Sequence, residues 1–294
     1  MSDPQEQRNL WTVKDVLQWT TDYFTKKGIA TARLDAEVLL AHALGVDRLQ
    51  LYLNSERPLI SRERAQYREL VRRRANREPV ALITGVKEFW SIPFKVRPGV
   101  LIPRPDTERL VEVVLDEVRE RTGALILEIG VGSGAVAVAI LREHPDARVI
   151  ATDIDPVALE TAGLNAAAQE VRPRLDLVAS NLLETFRECE LFDVICSNPP
   201  YIPSDEIETL EPEIRYFEPI GALDGGADGL DVIRRLVAAA PLYLRAGGAL
   251  ALEVGDRQAD AVRDIFSGVG GLVDVRTFSD LAGKSRVVRG RRAS

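Results

Sequence analysis

Two hydrophobic periodicities divide the chain. Over the first stretch, apolar positions recur at helical spacing. Val13, Val16, Leu17, Tyr23 and Phe24 run from a capping box at Thr12 and Asp15 toward Gly28, and Leu34, Val38, Ala41 and Leu44 run toward a helix-ending Gly45. A shorter helix is expected from Arg48 to Leu53. Ser61 opens another, with Ala65, Tyr67, Leu70, Val71 and Ala75 on one side and seven arginines from Arg62 to Arg77 elsewhere. That arginine face reads as solvated surface, with docking of a partner protein or RNA as the lesser alternative. Residues 1–80 are expected to form a small N-terminal helical bundle.

From Pro79 the pattern changes. Phe89 to Val96 alternates aromatic and β-branched residues around Pro93, as in an exposed hairpin, so residues 81–103 are read as a β-hairpin connector. Prolines block helix from Ile102 until Thr107, which is expected to cap the apolar series Leu110, Val111, Val114, Leu115 and Val118. Residues 104–294 then alternate. Strands are expected at Leu125 to Ile129, Val149 to Thr152, Leu175 to Ala179, Phe192 to Ser197 and Ala249 to Val254. Helices are expected near Ala135 to Glu143, Pro156 to Gln169, Leu230 to Leu244 and Gln258 to Phe266. Such alternation means an α/β fold with a parallel sheet covered on both faces. In the tail, Leu272 to Phe278 and Arg286 to Arg289 are too close for a crossover helix and should pair antiparallel at the sheet edge.

Composition narrows the class. A chain of 294 residues suggests two domains that need no covalent staples. Its two cysteines, Cys189 and Cys196, and two histidines, His42 and His144, give neither a disulfide framework nor a zinc cluster, so no metal is expected and a reducing cytosol fits. Residues 1–6 are polar and acidic, unlike a signal peptide, and no apolar run reaches membrane-spanning length. Net charge is −7, against a protein whose main task is gripping nucleic acid, although residues 1–85 sum to +3 and the remainder to −10.

Candidate chemistry sits at two strand ends. Asn198, Pro199, Pro200 and Tyr201 close the run Phe192 to Ser197, where open parallel sheets place their ligands. Successive prolines fix the backbone and remove donors, leaving carbonyl acceptors. Asn198 adds a side-chain oxygen and Tyr201 an aromatic face. The corner would receive a planar nitrogen bearing two hydrogens, an amide or an aromatic amine. Glu128, Gly130, Val131, Gly132, Ser133 and Gly134 form a glycine loop between the first strand and its helix, and Asp153 ends the next strand. Together they suit an adenosine-containing cofactor, the acid accepting from two ribose hydroxyls. NAD would call for a hydride-handling acid/base, and neither histidine lies near the crevice. The antiparallel tail also fits the seven-stranded sheet of S-adenosylmethionine enzymes better than a six-stranded parallel one.

The wider set of motifs is more specific. Pro103 to Glu108, Asn198 to Pro203, Glu218-Pro219 through Ala222-Leu223, Gly226 to Leu230, Glu253-Val254-Gly255 and Gln258 resemble the peptide chain release factor N5-glutamine methyltransferases, the HemK/PrmC family, over essentially the whole chain. The resemblance implies a class I methyltransferase (Rossmann-like) domain and methyl transfer from S-adenosyl-L-methionine to the glutamine of the Gly-Gly-Gln loop of bacterial release factors. It implies cytoplasmic work on a protein partner, with no membrane and no direct nucleic-acid binding. It also gives the N-terminal domain a part in substrate recognition. Gly130 to Gly134 would cradle the methionine part, with Glu128 below and Asp153 on the ribose. Asn181-Leu182 would border the adenine where the family carries an acid before an apolar residue, and Asn198 would touch the cofactor as well as the substrate. Asn181 is thus a departure that can still accept through its oxygen.

With Asn198 and the Pro199 carbonyl accepting the two amide hydrogens and Tyr201 against the amide plane, positioning alone would drive an in-line displacement. Competing readings are methylation of a ribosomal-protein glutamine, adenine-N6 methylation with the base flipped against Tyr201, and a non-catalytic cofactor- or partner-binding factor. Cys196 is read as core, Phe89 and Trp90 as interdomain contacts, and 224–229 as a turn-rich loop near the site.

Overall fold

Helix initiation at Thr12 follows from its side chain. In a computed structural model that describes residues 11–280 and 282–294, Thr12 Oγ1 accepts from the Asp15 N–H at 3.2 Å and Asp15 Oδ2 accepts from the Thr12 N–H at 3.1 Å. The reading of residues 1–6 as unlike a signal peptide lies outside the described residues. Thr12→Ala should lower the melting stability of the protein by about 1 kcal/mol, measurable by denaturant titration; an unchanged midpoint would mean the box contributes nothing.

The chain forms two units, one ending at Gly85 and one starting at Val86. In the first, α1 (Val13–Lys26), α2 (Ala32–Leu44), α3 (Arg48–Leu53), α4 (Ser61–Ala75) and α5 (Val80–Thr84) surround Phe24, Leu39, Leu40, Leu51 and Tyr67. α2 ends, as its sequence predicts, at a left-handed Gly45. One arginine of α4 departs from the solvated reading: Arg74 is buried, with Nε 2.7 Å from Asp35 Oδ2 of α2. Periodicity counts an arginine as surface, and only the tertiary partner shows that this one is interior. α5, a single short helix, was not expected either.

The second unit opens with a hairpin, β1 (Val86–Phe89) and β2 (Ile92–Lys95). It is not exposed on both faces. Phe89, Ile92 and Phe94 are buried in this unit's core, and the Trp90 indole donates to Glu143 at 2.8 Å. Next come α6 (Glu108–Val118), β3 (Leu125–Ile129), α7 (Ala135–Glu143), β4 (Arg148–Asp153), α8 (Pro156–Ala168), β5 (Leu175–Ala179) and β6 (Phe192–Ser197). The chain continues with α9 (Pro212–Phe217), α10 (Asp231–Ala239), β7 (Leu244–Glu253), α11 (Ala259–Gly268), β8 (Leu272–Ser279) and β9 (Ser285–Arg292).

The sheet has seven strands in the order β5-β4-β3-β6-β7-β9-β8, parallel as far as β7, with β9 antiparallel to both β7 and β8. Strand side chains alternate between two apolar layers. Ile126 of β3 and Cys196 of β6 face the core under α6, α7 and α8, whereas Leu127, Ile129 and Ile195 face α10 and α11. Covered on both sides, the strands read as near-continuous apolar runs. At the other strand end, Asp193 is buried and neutralised by Arg121 at 2.8 Å and Arg245 at 2.9 Å, and accepts from the Leu125 N–H. The carboxyl ends of β3, β4, β5 and β6 therefore share one rim, with β7 beside them.

Candidate active site

Ser197, the last residue of β6, donates its hydroxyl to the Ile129 carbonyl at 2.7 Å and ties the ends of β3 and β6 together. Asn198 to Tyr201 leave the sheet from that tie. Asn198 Nδ2 donates to Thr107 Oγ1 at 3.2 Å, so Oδ1 is the atom left for a ligand. Among the described residues no donor is bonded to the Pro199 carbonyl. The Tyr201 carbonyl accepts from Gln258 Nε2 at 2.8 Å and its phenol donates to Glu253 Oε1 at 3.3 Å. Burial, then the Glu253 charge, raises the phenol pKa, so Tyr201 is a neutral ring at working pH.

Loop 224–229 braces this corner. Ile202 N–H donates to Leu223 and Gly225 N–H returns to Ile202, both at 2.9 Å. A Cβ on Gly229, at φ +74°, would stand 2.3 Å from the Tyr201 carbonyl oxygen, so glycine is required for the approach.

The glycine loop folds as its composition demands. Gly130, Gly132 and Gly134 all have positive φ, and Gly130 and Val131 both donate to the Thr152 carbonyl at 2.8 Å. A Cβ on Gly130 or Gly132 would meet nothing within 4 Å, whereas one on Gly134 would press on Ala162 of α8 at 3.0 Å. The first two thus border open space and the third permits helix packing. Asp153 accepts from Gly132 N–H through Oδ2 at 2.9 Å and from Asp155 N–H through Oδ1 at 3.0 Å. Asp155, not Asp153, caps α8, accepting from Val157 N–H. Burial raises the Asp153 pKa, and a ligand donating hydroxyls would offset that cost.

A cavity of about 460 Å³ runs along the rim, lined by Gly130, Gly132, Asp153, Asn181, Leu182 and the start of the Asn198 corner. Asn181 Nδ2 donates to Glu184 Oε1 at 2.8 Å, which leaves its oxygen as the free acceptor. Ile154 lies against the same cavity at 74% exposure, an apolar face beside Asp153 that sequence reasoning missed although its position directly after the acid was a signal. A smaller recess of about 50 Å³ adjoins, bounded by Glu128, Val131, Ser133 and Asn198. Val131 and Ser133 reach this recess but not the large cavity, and Gly134 reaches neither. The Ala137 N–H favours the Glu128 anion, yet Oε2 is buried without a partner, and burial with the nearby Asp153 charge drives the pKa well up. An orphaned carboxylate oxygen beside two open glycines fits a cationic amino group, and Asp153, Ile154 and Asn181 fit an adenosine. The residues present therefore suit S-adenosylmethionine.

A third recess, of about 130 Å³, lies on the far side of the corner between Leu101, Arg104, Tyr201, Ile202 and Ile214. Asn198 and Pro199 line both it and the large cavity. Arg104 is held 2.5 Å from the buried Glu218, whose pKa burial raises. Thr107 and Glu253, which join the Asn198 corner from the turn before α6 and from the end of β7, were not assigned site roles from sequence.

Residues 15–85 match the family described as the PrmC N-terminal domain, and residues 105–210 match the methyltransferase small domain. The release factor glutamine methyltransferase of Geobacter sulfurreducens is 46% identical over 286 residues, covering 97% of this chain and 99% of that protein. That of Rhodopirellula baltica is 42% identical over 282 residues, covering 95% of each. Among solved structures, a methyltransferase from Pyrococcus furiosus aligns with a TM-score of 0.50 at 20% identity, covering 68% of this chain and 89% of its own, a likeness of fold.

Proposed function

We propose, from the premise that this chain belongs to the family of release factor glutamine methyltransferases, that it methylates the side-chain amide nitrogen (N5) of the glutamine in the Gly-Gly-Gln motif of bacterial peptide chain release factors. The observation that carries this reading is the double position of Asn198 and Pro199, which border both the adenosine-sized cavity and the recess beyond it. A nitrogen held by these two acceptors faces whatever occupies the cavity.

Asn198 Oδ1 and the Pro199 carbonyl accept the two amide hydrogens and point the nitrogen toward the cavity. S-adenosylmethionine, when bound, supplies an electrophilic methyl on a sulfonium, so that the N–C bond forms as the S–C bond breaks. An amide nitrogen is a weak nucleophile, and positive charge develops on it as its lone pair is committed. The two oxygens stabilise that charge before the surplus proton passes to water. Tyr201, neutral and held at both ends, keeps the amide plane from turning. Gly130, Gly132 and Glu128 hold the methionine end of the cofactor, Asp153 its ribose, and Ile154, Asn181 and Leu182 its adenine.

In this reading residues 1–80 recognise the protein substrate, residues 81–103 connect, and residues 104–294 carry the chemistry. Among the described residues no helix is long and apolar enough to cross a membrane. Release factors would be met in the cytoplasm. Purified protein given methyl-labelled S-adenosylmethionine should label a bacterial release factor and leave its Gly-Gly-Gln loop Gln→Ala variant unlabelled. Label on that variant, or on adenine-containing DNA instead, would overturn the assignment.

A further inference from the structure

We propose that Glu253, acting through Thr107, decides which atom of the Asn198 carboxamide faces the substrate, and is a positioning residue for the transfer. This rests on the methyltransferase reading above. Thr107 ends a short turn, Pro105–Thr107, with right-handed helical backbone angles, and its side chain caps nothing, contrary to the sequence expectation. Its hydroxyl instead accepts from Asn198 Nδ2 at 3.2 Å. The Glu253 carboxylate at the end of β7 lies near enough for the Thr107 hydroxyl to favour its anion, and its Oε2 is buried without a partner. The second carboxylate oxygen accepts from Tyr201 at 3.3 Å. One buried acid therefore bonds Tyr201 at one end of the corner and neighbours Thr107, which bonds Asn198 at the other.

A hydroxyl has one hydrogen. While Glu253 is an anion it can only accept, so Thr107 must donate to it and accept from Asn198, and the Asn198 oxygen is left for the substrate. If Glu253 carries a donor, that donor takes the Thr107 oxygen. The Thr107 hydrogen then turns to Asn198, whose carboxamide is reversed. Asn198 would present an NH₂ group to the substrate's own NH₂, and the acceptor would be lost.

Asp106 and Arg286 face this acid from the turn before α6 and from β9, Asp106 raising and Arg286 lowering its pKa, while Tyr201 donates to it and the Thr107 hydroxyl also lowers its pKa. Arg286 is itself shared with Asp106 at 2.8 Å and Asp280 at 3.0 Å. Burial outweighs these and places the acid's titration at about 7. The corner is thus correctly oriented above that pH and reverses below it.

The test compares wild type, Glu253→Gln, Thr107→Val and Thr107→Ser for turnover on a release factor between about pH 5.5 and about pH 8.5, with cofactor binding by calorimetry and thermal melts alongside. Wild-type kcat should rise through pH 7. Glu253→Gln, its oxygen kept by the Tyr201 phenol and its NH₂ turned to Thr107, should lose about 30-fold in kcat at the upper pH and show no inflection, with cofactor Kd within about three-fold. Thr107→Val should lose a similar factor, and Thr107→Ser should recover most of it. Wild-type kcat and an unchanged pH profile in Glu253→Gln, or a loss shared equally by kcat, cofactor affinity and melting temperature, would overturn the inference while leaving the function intact. Wild-type protein that binds cofactor but labels no release factor would overturn the function, and this inference with it.

Discussion

Asn198→Ala should lower kcat for release-factor methylation by about 10³-fold, close to 4 kcal/mol of transition-state stabilisation. The residue supplies a neutral acceptor at the point where charge develops, and the Pro199 carbonyl alone cannot orient a group with two hydrogens. Loss of the side chain also frees Thr107, whose hydroxyl can then enter the space and compete for the amide. Affinity for S-adenosylmethionine should change by no more than about three-fold, because the groups that fit its charge and ribose are Glu128 and Asp153. Steady-state kinetics with calorimetry separates the two. A parallel collapse of cofactor binding would mean that Asn198 serves the cofactor and not the amide.

The second large effect is expected on binding alone. Asp153→Ala should raise the S-adenosylmethionine Kd by about 10²- to 10⁴-fold, since two hydrogen bonds to a charged acceptor contribute about 1.5–3 kcal/mol each. The same carboxylate draws in the Gly132 N–H, so its removal loosens the loop that borders the methionine end. The pH dependence has a definite sign. Burial raises the Asp153 pKa in the free protein, while ribose hydroxyls favour the anion. Binding therefore requires the deprotonated acid, and affinity is full above that raised pKa and falls as pH drops through it. Titration calorimetry across this range should show the dependence in wild type and its absence in Asp153→Ala; pH-independent binding by wild type would remove Asp153 from the cofactor site.

Local pattern carried much of this architecture. β3, β5 and β6 lie where their apolar runs predict, and the glycines of the loop take the positive φ that their residue type permits. Position within the sheet was legible too, since a tail too short for a crossover must turn back antiparallel. What sequence could not show were contacts whose partners are remote in the chain. A threonine before an apolar helical series signals a cap, yet Thr107 is held in a helical conformation that cannot cap, and it meets Asn198 and Glu253 only through the fold. The Glu253 motif was visible as a motif, but its chemistry is burial, and burial of one strand-end acid is not written in the strand's alternation. Arg74 shows the same limit in the helical unit, where an arginine is interior because Asp35 is.

The place of β9 bears on how the protein is made. β8 leaves the ribosome before β9, yet β9 is its hydrogen-bonded neighbour, inserted between it and β7. Without β9, the edge of β7 would be unpaired and β8 would have no strand of this sheet to pair with. Arg286, whose charge counters the burial of Glu253, arrives on that same strand. The acid beneath the Asn198 corner therefore has this cationic neighbour only when β9 is in place, so the pairing of the last strand and the tuning of the acceptor are one structural event.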